Sequence, residues 1–378
     1  MTRRESVRSW EQMQHSASLP ADRFDELLRR LPANLDLDVL AQRTKAIERK
    51  REIETGADLL RLALARGPGG LSLSQTAAWA TMLGLAGISN PGVKYRLDKA
   101  VEFLDAVIAR QLADKTPGAA VCWAGRTLRL SDGSCFRERG AKTTSWRLHA
   151  VYDLGRGGFT NLELTDRHGA ETIERGAPMP GEIRIGDRGF ARAPSLHRFR
   201  QQSANQADYI VRVGWAAFSL IDQDGADFDL IDHLGQLPPG MAPHEVRVRA
   251  RLGPLDPALP MRLIIQRKTP EATEAARKKM RAEASRKQKT LDPRSLVAAE
   301  FIILGTSLPA EGYPADEVLA VYRLRWQIEL AFKRLKSLLK MDQIPTRTER
   351  ASRSWLTAHL IMALLCDDVS QEFLDSSP

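Results

Sequence analysis

Three carboxylates stand in sequence contexts that could bring them together around hard metal cations. Asp132 lies in the run Arg-Leu-Ser-Asp-Gly-Ser and is expected to end a strand, Asp187 lies in Ile-Gly-Asp-Arg-Gly-Phe just beyond another strand, and Glu329 lies on a long helix. Each aspartate precedes turn residues, so either one taken alone could instead be a turn former. Two strands and a helix could place all three at one edge of a sheet. Oxygen ligands suit Mg²⁺, and two Asp with one Glu suffice to hold a pair of ions for in-line phosphoryl displacement.

The segment around Glu329 favours a helix with one charged face. Its pattern predicts a helix over Ala315–Lys340, in which about 100° per residue gathers the charged or polar positions within roughly 80°. These positions are Tyr322, Arg325, Glu329, Lys333 and Lys336. The opposite side carries Val321, Leu324, Ile328, Ala331, Leu335 and Leu338. A surface pair of Glu329 with Lys333 is common on helices, so that pair alone is ambiguous.

Other common chemistries find little support in the sequence. The seven histidines show no HxxxH or HxH spacing, which makes a zinc hydrolase improbable. The chain has no GxxxxGK[ST] loop and no GxSxG elbow, which disfavours a P-loop ATPase and a serine hydrolase. Its three cysteines form no CxxC pair, which excludes a disulfide scaffold and fits a reducing compartment.

The charge balance points to a polyanionic partner. The 378 residues include 56 Lys+Arg against 47 Asp+Glu, a net charge of +9. Nucleic acid is the simplest partner, and a merely basic surface is the alternative. The most apolar stretch, Leu356–Cys366, is too short for a membrane span and contains His359. The sequence therefore predicts a cytoplasmic protein without a membrane partner, and the family resemblance described below implies a nucleoid-associated protein in a cell of bacterial type.

The chain is expected to begin with a helical domain over residues 1–115. Within it, Ser74–Leu85 reads as a helix capped by Ser74, Gly87–Gly92 as a turn, and Val93–Ile108 as a second, basic helix. This arrangement resembles a helix-turn-helix that binds DNA, although any small helical bundle contains such a pair.

From residue 120 the pattern changes to short alternating strands, which predicts an α/β domain with a mixed sheet. Residues 120–214 form its first part, with these expected elements: strands Thr127–Ser131, Trp146–Asp153, Phe159–Leu164, Glu182–Gly186 and Ala207–Val213, and helices Glu171–Ala177 and Pro194–Ser203. Residues 215–298 are expected to form a β-rich insertion that does not continue the sheet and that includes a basic helix from Pro270. The charged side chains of that helix either face solvent only or form a surface that binds phosphates. Residues 299–378 complete the domain.

The motif Tyr322-x₂-Arg325-x₃-Glu329-x₆-Lys336, together with the Asp132 and Asp187 contexts, resembles the signature of the DDE transposases of the insertion-sequence-four family. The resemblance covers roughly residues 120–340 and includes Arg325-Trp326 before the glutamate. It implies a ribonuclease-H-like catalytic core, interrupted by a β-rich insertion between the second aspartate and the glutamate.

The resemblance also implies roles for individual residues. Asp132, Asp187 and Glu329 would be the catalytic triad that binds Mg²⁺, with Mn²⁺ as a substitute. The residues that would contact DNA are Tyr322, Arg325, Trp326, Lys333, Lys336 and Arg212. Arg212 could instead be an ordinary exposed strand residue. Phe301 stands where relatives can place a tryptophan that stacks on a flipped base, and a core phenylalanine on a buried strand is the alternative.

The implied activity is cut-and-paste transposition by two-metal-ion phosphoryl transfer. Its substrates would be double-stranded DNA, both the transposon end repeats and the target, and a homodimer on DNA would pair the two ends. Two other functions stay open on the sequence alone. One is a catalytically silent or domesticated DNA-binding relative, and the other is a metal-dependent nuclease that does not join strands.

Overall fold

The structure is a computed structural model that describes residues 24–113, 122–240, 242–253, 257–338, 341 and 343–375. The helices are α1 Phe24–Leu28, α2 Leu37–Arg43, α3 Gly56–Arg66, α4 Leu73–Met82, α5 Asn90–Lys99, α6 Val101–Ala113, α7 Ala193–Gln202, α8 Leu230–Gln236, α9 Pro270–Arg286, α10 Pro293–Ala298, α11 Ala315–Tyr322, α12 Trp326–Leu338 and α13 Glu349–Asp375. The strands are β1 Cys122–Trp123, β2 Arg126–Glu138, β3 Trp146–Asp153, β4 Gly158–Asp166, β5 Glu182–Gly186, β6 Asp208–Arg212, β7 Leu220–Ile221, β8 His244–Ala250, β9 Leu259–Arg267, β10 Phe301–Thr306 and β11 Gln343–Ile344.

The chain divides into a helical unit and a sheet unit. The helical unit contains the described residues up to 113, residues 138–140, and the described residues from 341 onward. The sheet unit contains the described parts of 122–137 and 141–338. The predicted segment 299–378 is therefore divided, because its last helix packs with the N-terminal helices.

The helical unit is joined across a long sequence separation by paired side chains. Arg350 on α13 grips the carboxylate of Glu102 on α6 through two hydrogen bonds of 2.9 and 2.7 Å. One turn further, Arg353 donates to Asp105 at 3.0 and 2.7 Å. Two-pronged contacts of this kind fix orientation as well as proximity. The ends of the described chain thus build one helical body.

The predicted helix-turn-helix is present as a helix pair, with different bounds. Helix α4 begins one residue earlier than expected, because Ser72 caps it in a reciprocal pair with the Gln75 side chain. The second predicted helix is two helices, since α5 starts after its Ser89 cap and ends at Lys99, before α6 begins. The basic residues of α5 all pair with carboxylates: Lys94 with Asp98, Arg96 with Glu52 and Lys99 with Glu48. These pairs reduce the positive charge that α5 presents.

The sheet unit is built on one mixed sheet in the order β4-β3-β2-β5-β6-β10-β9-β8-β7. Strand β2 is antiparallel to β3 and parallel to β5, and β5 is parallel to β6. The first five strands along the chain after β1 thus form the mixed sheet expected of a ribonuclease-H-like core, and the predicted fold class is confirmed. Within the described ranges, no helix combines the length and apolar character needed to cross a bilayer.

The expectation of an insertion separate from this sheet is wrong. Strand β10 pairs with β6 on one side and β9 on the other, and β8 and β7 follow at the edge. The cause lies in β9, where Leu263, Ile264 and Ile265 are all fully buried. Consecutive buried residues point to both faces of a strand, so β9 needs cover on both sides and lies inside the sheet.

Two further predictions differ from the structure around the aspartates. Strand β2 does not end at Asp132 but continues to Glu138, because Gly133 and the residues after it keep their partners on β3. Residues 171–177 are an irregular loop instead of a helix. Their carbonyls at Ile173, Arg175 and Gly176 accept hydrogen bonds from the Arg184 guanidinium, which replaces a helical pattern with a side-chain scaffold.

The predicted long helix is also interrupted. Residues Arg323–Arg325 form a short 3-10 helix between α11 and α12. Ile328 and Ala331 on the first turns of α12 are buried, as the apolar side of the pattern predicts, and Phe332 is buried as well. Because a 3-10 helix turns more tightly than an α-helix, the line of charged and polar side chains from Tyr322 to Glu329 changes direction here. Neighbouring side chains along this line remain within reach of each other.

A buried histidine on α13 should make the stability of the helical unit depend on pH. Burial lowers the pKa of His359 from 6.5 to about 4, while its Nδ1 bonds the Trp355 carbonyl at 2.7 Å. The folded state keeps His359 neutral where the unfolded chain takes up a proton, so stability falls as the pH drops below about 6.5. In urea unfolding, the loss of stability between pH 7.5 and pH 5 should be about 2 kcal/mol smaller in His359→Leu than in the wild-type protein. His168→Leu, at an exposed histidine, should keep the loss, and an equal loss in both variants would contradict the assignment.

Candidate active site

The two aspartates are brought together by the pairing of β2 with β5. Leu130 on β2 lies opposite Ile185 on β5 in a parallel register. Asp132 on β2 and Asp187, just beyond the end of β5, each come two residues after this pair. They therefore lie at the same level of the sheet. The sequence prediction that places both carboxylates at one location is supported by this register.

Each aspartate is held by a backbone amide that follows it. The Asp132 Oδ1 accepts from the Gly133 amide at 2.8 Å, and the Asp187 Oδ1 accepts from the Gly189 amide at 2.7 Å. Asp187 thereby caps the short 3-10 helix Arg188–Phe190. These bonds fix one oxygen of each carboxylate and leave the other lone pairs for a ligand.

The Asp132 carboxylate is largely buried and lies near other negatively charged side chains. Burial raises its pKa to about 6, and the neighbouring charges of Asp187 and Glu171 add to the rise. The Gly133 amide and the guanidinium of Arg325 act in the opposite direction. A carboxylate kept in this state favours the approach of a cation.

Glu171 is a neighbour of both aspartates that the sequence did not single out. Its Oε1 lies 2.7 Å from the point where a Cβ on Gly133 would stand, and its Oε2 lies 3.1 Å from the corresponding point on Gly189. The Asp187 Oδ1 is also 3.1 Å from that second point. The prediction of a helix over 171–177 concealed this position. The signal in the sequence was the two glycines, each of which follows an aspartate closely.

The segment α11–α12 supplies the remaining residues of the predicted motif. The Tyr322 hydroxyl is within hydrogen-bonding reach of Arg325, and burial raises its pKa. Arg325 also forms an ion pair with Glu329 and lies close enough to Asp132 to affect its charge. The Glu329 side chain is 56% exposed, so its contact with the aspartates runs through Arg325.

The donor chemistry of this site fits a hard divalent cation, with one difference from the sequence prediction. The negative charges of Asp187 and Glu171 act on the buried carboxylate of Asp132, and a bound cation would offset the repulsion among them. Among the residues that the structure describes, however, no three His, Cys, Asp or Glu side chains are grouped closely enough to hold a metal ion as they stand. Glu329 would have to exchange its Arg325 partner to join the aspartates.

A group of cations lies beside the carboxylates. The half-buried Arg212 at the end of β6 interacts with Arg188, Arg325, Tyr322 and Asp187, and its Nε is buried without a hydrogen-bond partner. Burial, with Arg212 and Arg188 nearby, lowers the pKa of Lys268 to about 8. Lys268 follows β9 and precedes α9. Concentrated positive charge of this kind is a site for an anion.

The other residues singled out by the sequence have different surroundings. Trp326 is 49% exposed and Lys333 is exposed, so both can meet a partner. Lys336 places its ammonium 5.5 Å from the centre of the Phe136 ring. Phe301 is only 3% exposed, within the hydrophobic core, and the Arg267 guanidinium covers its ring at 4.6 Å. The core interpretation of Phe301 is the one that this packing favours over base stacking.

Comparison with known proteins identifies the family of the chain. The model of the transposase DDE domain family matches residues 123–365. InsL of insertion sequence element IS186A from Escherichia coli (strain K12) is 38% identical over 361 residues, covering 94% of this chain and 96% of its own length. The transposase for insertion sequence element IS421 from Escherichia coli is 38% identical over 362 residues with the same coverage.

More distant relatives extend this pattern. The transposase for insertion sequence element IS231C from Bacillus thuringiensis subsp. berliner is 26% identical over 384 residues, 90% of this chain and 78% of its own length. A solved piggyBac transposase synaptic complex with hairpin DNA aligns at a TM-score of 0.46 and 11% identity, covering 92% of this chain and 73% of that one. The fold assignment rests on the strand order of the sheet and not on that structural alignment. The resemblance in sequence to transposases of the insertion-sequence-four family is consistent with these matches, and the chain belongs to the DDE transposase family.

Proposed function

We propose that this protein is a DNA transposase that cleaves the ends of its own element and joins them to target DNA by metal-dependent phosphoryl transfer. The observation that carries the proposal is the parallel register of β2 and β5, which sets Asp132 and Asp187 side by side next to a cluster of arginines. Phosphoryl transfer needs this combination, with oxygen ligands for cations on one side and positive groups for phosphates on the other.

In this proposal Asp132, Asp187 and Glu329 would hold Mg²⁺, with Mn²⁺ as a substitute. Two such ions, when bound, supply an activated water or 3′-hydroxyl and neutralise charge on the leaving oxygen. Arg325 pairs with Glu329 in the present structure and would contact a backbone phosphate once Glu329 turns toward the aspartates. The glutamate and the arginine would then each exchange one ionic partner for another when DNA and cations arrive.

The cationic group would hold the DNA backbone close to the carboxylates. Arg212 has a buried Nε without a partner, which a phosphate oxygen would satisfy. Tyr322 and Arg325 border the same place, and the exposed Trp326 and Lys333 continue along α12. We assign these residues, with Lys336, to the strand that is cut. Most contacts of this type bind phosphates and carry no sequence information.

Two parts of the chain would extend the DNA contact. Helix α9 exposes Lys278, Lys279 and Arg286, which suits binding along a phosphate backbone. The α4–α5 pair remains a candidate reader of the transposon end, with the exposed Tyr95 and not the paired basic residues as its main contact. Because two ends must be joined in one event, we expect a homodimer assembled on DNA.

The decisive test is strand cleavage. A labelled duplex that carries the flanking ends of its own gene should be nicked by the wild-type protein in Mg²⁺, and Asp187→Asn and Glu329→Gln should each lower the rate at least about 100-fold, because each removes a charged ligand. DNA affinity should change less than about threefold, since neither side chain is expected to bind phosphate. Glu311→Gln, at an exposed glutamate, is the matched control.

The outcomes separate the alternatives. Persistent cleavage in Glu329→Gln would remove that residue from the catalytic site. Specific binding without cleavage in the wild-type protein would instead indicate a silent or domesticated DNA-binding relative. Cleavage without joining to a target duplex would indicate a nuclease.

The role of Lys336 can be measured through salt. Replacing one phosphate-binding lysine removes one released counterion, so Lys336→Ala should weaken DNA binding and reduce the slope of log affinity against log salt by about one. Fluorescence anisotropy of labelled DNA, titrated at salt concentrations from about 50 to about 300 mM, would show the change in slope. Lys142→Ala, at an exposed lysine outside the proposed site, should leave the slope as it is. An unchanged slope in Lys336→Ala would place Lys336 on a solvated face.

Lys268 should make DNA binding depend on pH. Its pKa of about 8 in the free protein would rise when a phosphate lies beside it, because an opposite charge favours the protonated form. Binding then takes up a proton, and affinity should fall up to about tenfold between pH 7 and pH 9. Lys268→Arg stays charged across this range and should flatten the dependence. A wild-type affinity that does not change with pH would exclude Lys268 from the phosphate contact.

A further inference from the structure

The helical unit contains a cavity to which the proposed function gives no role. Its volume is about 270 Å³, and it lies where the start of α13 meets α3 and α5. Part of its wall is apolar and is formed by Ala63, Leu73, Leu97, Pro345 and Trp355. Binding pockets for small molecules begin at about this size and are lined mostly by apolar side chains. The apolar wall therefore suits the body of a small organic molecule.

Two arginines add positive charge to the wall of this cavity. Arg66 on α3 is half-buried, and its Nη1 donates to the Leu71 carbonyl at 3.0 Å. Among the residues that the structure describes, Arg66 has no other hydrogen bond and no carboxylate partner. Arg347, in the segment that leads into α13, is exposed and also pairs with no described carboxylate. Both guanidinium groups therefore have donors available for a ligand in the cavity.

A structural role accounts for only part of the Arg66 side chain. Arg66 lies in the last turn of α3, where a positive charge is favourable, and its bond to the Leu71 carbonyl fixes the turn that follows. That bond uses one of five N–H donors. The third cation of the wall, Lys94, differs because Asp98 neutralises it at 2.5 Å. A half-buried guanidinium without a counterion is costly, and an anion in the cavity would offset that cost.

Three hydroxyl groups complete the polar part of the wall, those of Thr346, Thr348 and Ser354. The Ser354 hydroxyl donates to the Ala351 carbonyl at 3.2 Å, and the Thr346 hydroxyl shares a hydrogen bond of 2.7 Å with that of Ser352. A hydroxyl oxygen has two lone pairs, so these groups can still accept hydrogen bonds from a ligand. Hydroxyl groups of a sugar are donors of the kind that they suit.

We propose that this cavity binds a nucleoside monophosphate, either as a free nucleotide or as the phosphorylated end of a DNA strand. Arg66 and Arg347 hold the phosphate, whose charge of about −1.5 to −2 at pH 7 matches two guanidinium groups. The hydroxyl groups of the wall bind the sugar. The base packs against the apolar wall, where Trp355 supplies an aromatic surface. An anionic group, a sugar and an apolar ring system together match the three parts of the wall.

The first test compares three probes by isothermal titration calorimetry with the full chain in EDTA. Deoxyadenosine monophosphate should bind at least about tenfold more tightly than deoxyadenosine, which lacks the phosphate, because charge-assisted hydrogen bonds are lost. It should exceed inorganic phosphate, which lacks the sugar and the base, by a similar factor. Equal binding of either fragment would overturn the proposal, since the cavity would then recognise only one part of the nucleotide. Absence of nucleotide binding would overturn it as well.

Variants of the two arginines locate the phosphate. Arg66→Gln and Arg347→Gln should each weaken binding of deoxyadenosine monophosphate at least about tenfold, because each removes a charged donor. Arg66→Gln also loses the bond to the Leu71 carbonyl, so Arg347→Gln, at an exposed side chain, tests the charge without that structural change. Arg43→Gln, at an exposed arginine that ends α2, is the matched control. Wild-type affinity in Arg347→Gln, or an equal loss in Arg43→Gln, would overturn the proposal.

A further variant fills the cavity without changing any charge. Ala351 on α13 lines the cavity and is partly exposed, and leucine is also a strong helix former, so Ala351→Leu should fold as the wild-type protein does. Its larger side chain should abolish binding of deoxyadenosine monophosphate. It should also remove the rise in melting temperature that excess nucleotide gives the wild-type protein. Wild-type affinity in Ala351→Leu would place the nucleotide elsewhere and overturn the proposal.

Competition with oligonucleotides distinguishes the two sources of the ligand. If a single-stranded oligonucleotide with a 5′-phosphate displaces deoxyadenosine monophosphate and the same strand without it does not, the result supports a DNA end as the ligand. Displacement by neither strand supports a free nucleotide. Equal displacement by both would show that the terminal phosphate is not recognised and would overturn the proposal. None of these measurements depends on strand cleavage, so their outcome is independent of the test of the proposed function.

Discussion

The arrangement of the sheet around the two aspartates depends on one buried charge, the guanidinium of Arg184. It is fully buried and forms hydrogen bonds with Glu182 at 2.7 and 3.0 Å, with the Ser131 hydroxyl at 3.3 Å, and with three carbonyls of the loop before β5. Breaking such a buried pair typically costs about 3 to 5 kcal/mol, because the remaining charge stays without a partner. Arg184 therefore joins β5, which leads to Asp187, to β2, which carries Asp132, and to the loop that carries Glu171. All three carboxylates inherit their positions from this single group.

Charge is separated within a short distance on this scaffold. Asp132, Asp187 and Glu171 form an anionic side, and Arg212, Arg188 and Lys268 form a cationic side. Arg325 interacts with members of both sides, and it also pairs with Glu329. Cations and a phosphodiester together would neutralise both sides at once, which is a physical reason for metal and DNA to bind cooperatively.

The sequence was most informative where a single strand or helix decides the outcome. The strand bounds around Asp187, the buried strand after Phe301 and the apolar side of α12 followed from periodicity, because each is set by residues close in sequence. Three features depended on distant partners and were missed. Strand β2 runs past Asp132 because β3 supplies partners, and residues 171–177 adopt a loop because Arg184 binds their carbonyls. Strand β9 lies inside the sheet because β10 and β8 pair with its two edges. Glu171 escaped notice for the same reason, since it lies beside two glycines that are distant in sequence, one on β2 and one in the 3-10 helix after β5.

The pairing of α13 with α6 has a consequence for synthesis of the protein. Arg350 and Arg353 meet Glu102 and Asp105 across about 250 intervening residues, so the helical unit gains these contacts only after the whole sheet unit has been translated. While the ribosome still holds the later part of the chain, α6 keeps the face that α13 covers open to water and to other nascent chains. A polypeptide that stops before Glu349 would carry the aspartates of the sheet unit without a completed helical partner. The packing of α6 against α13 can therefore form only after α13 has been synthesised.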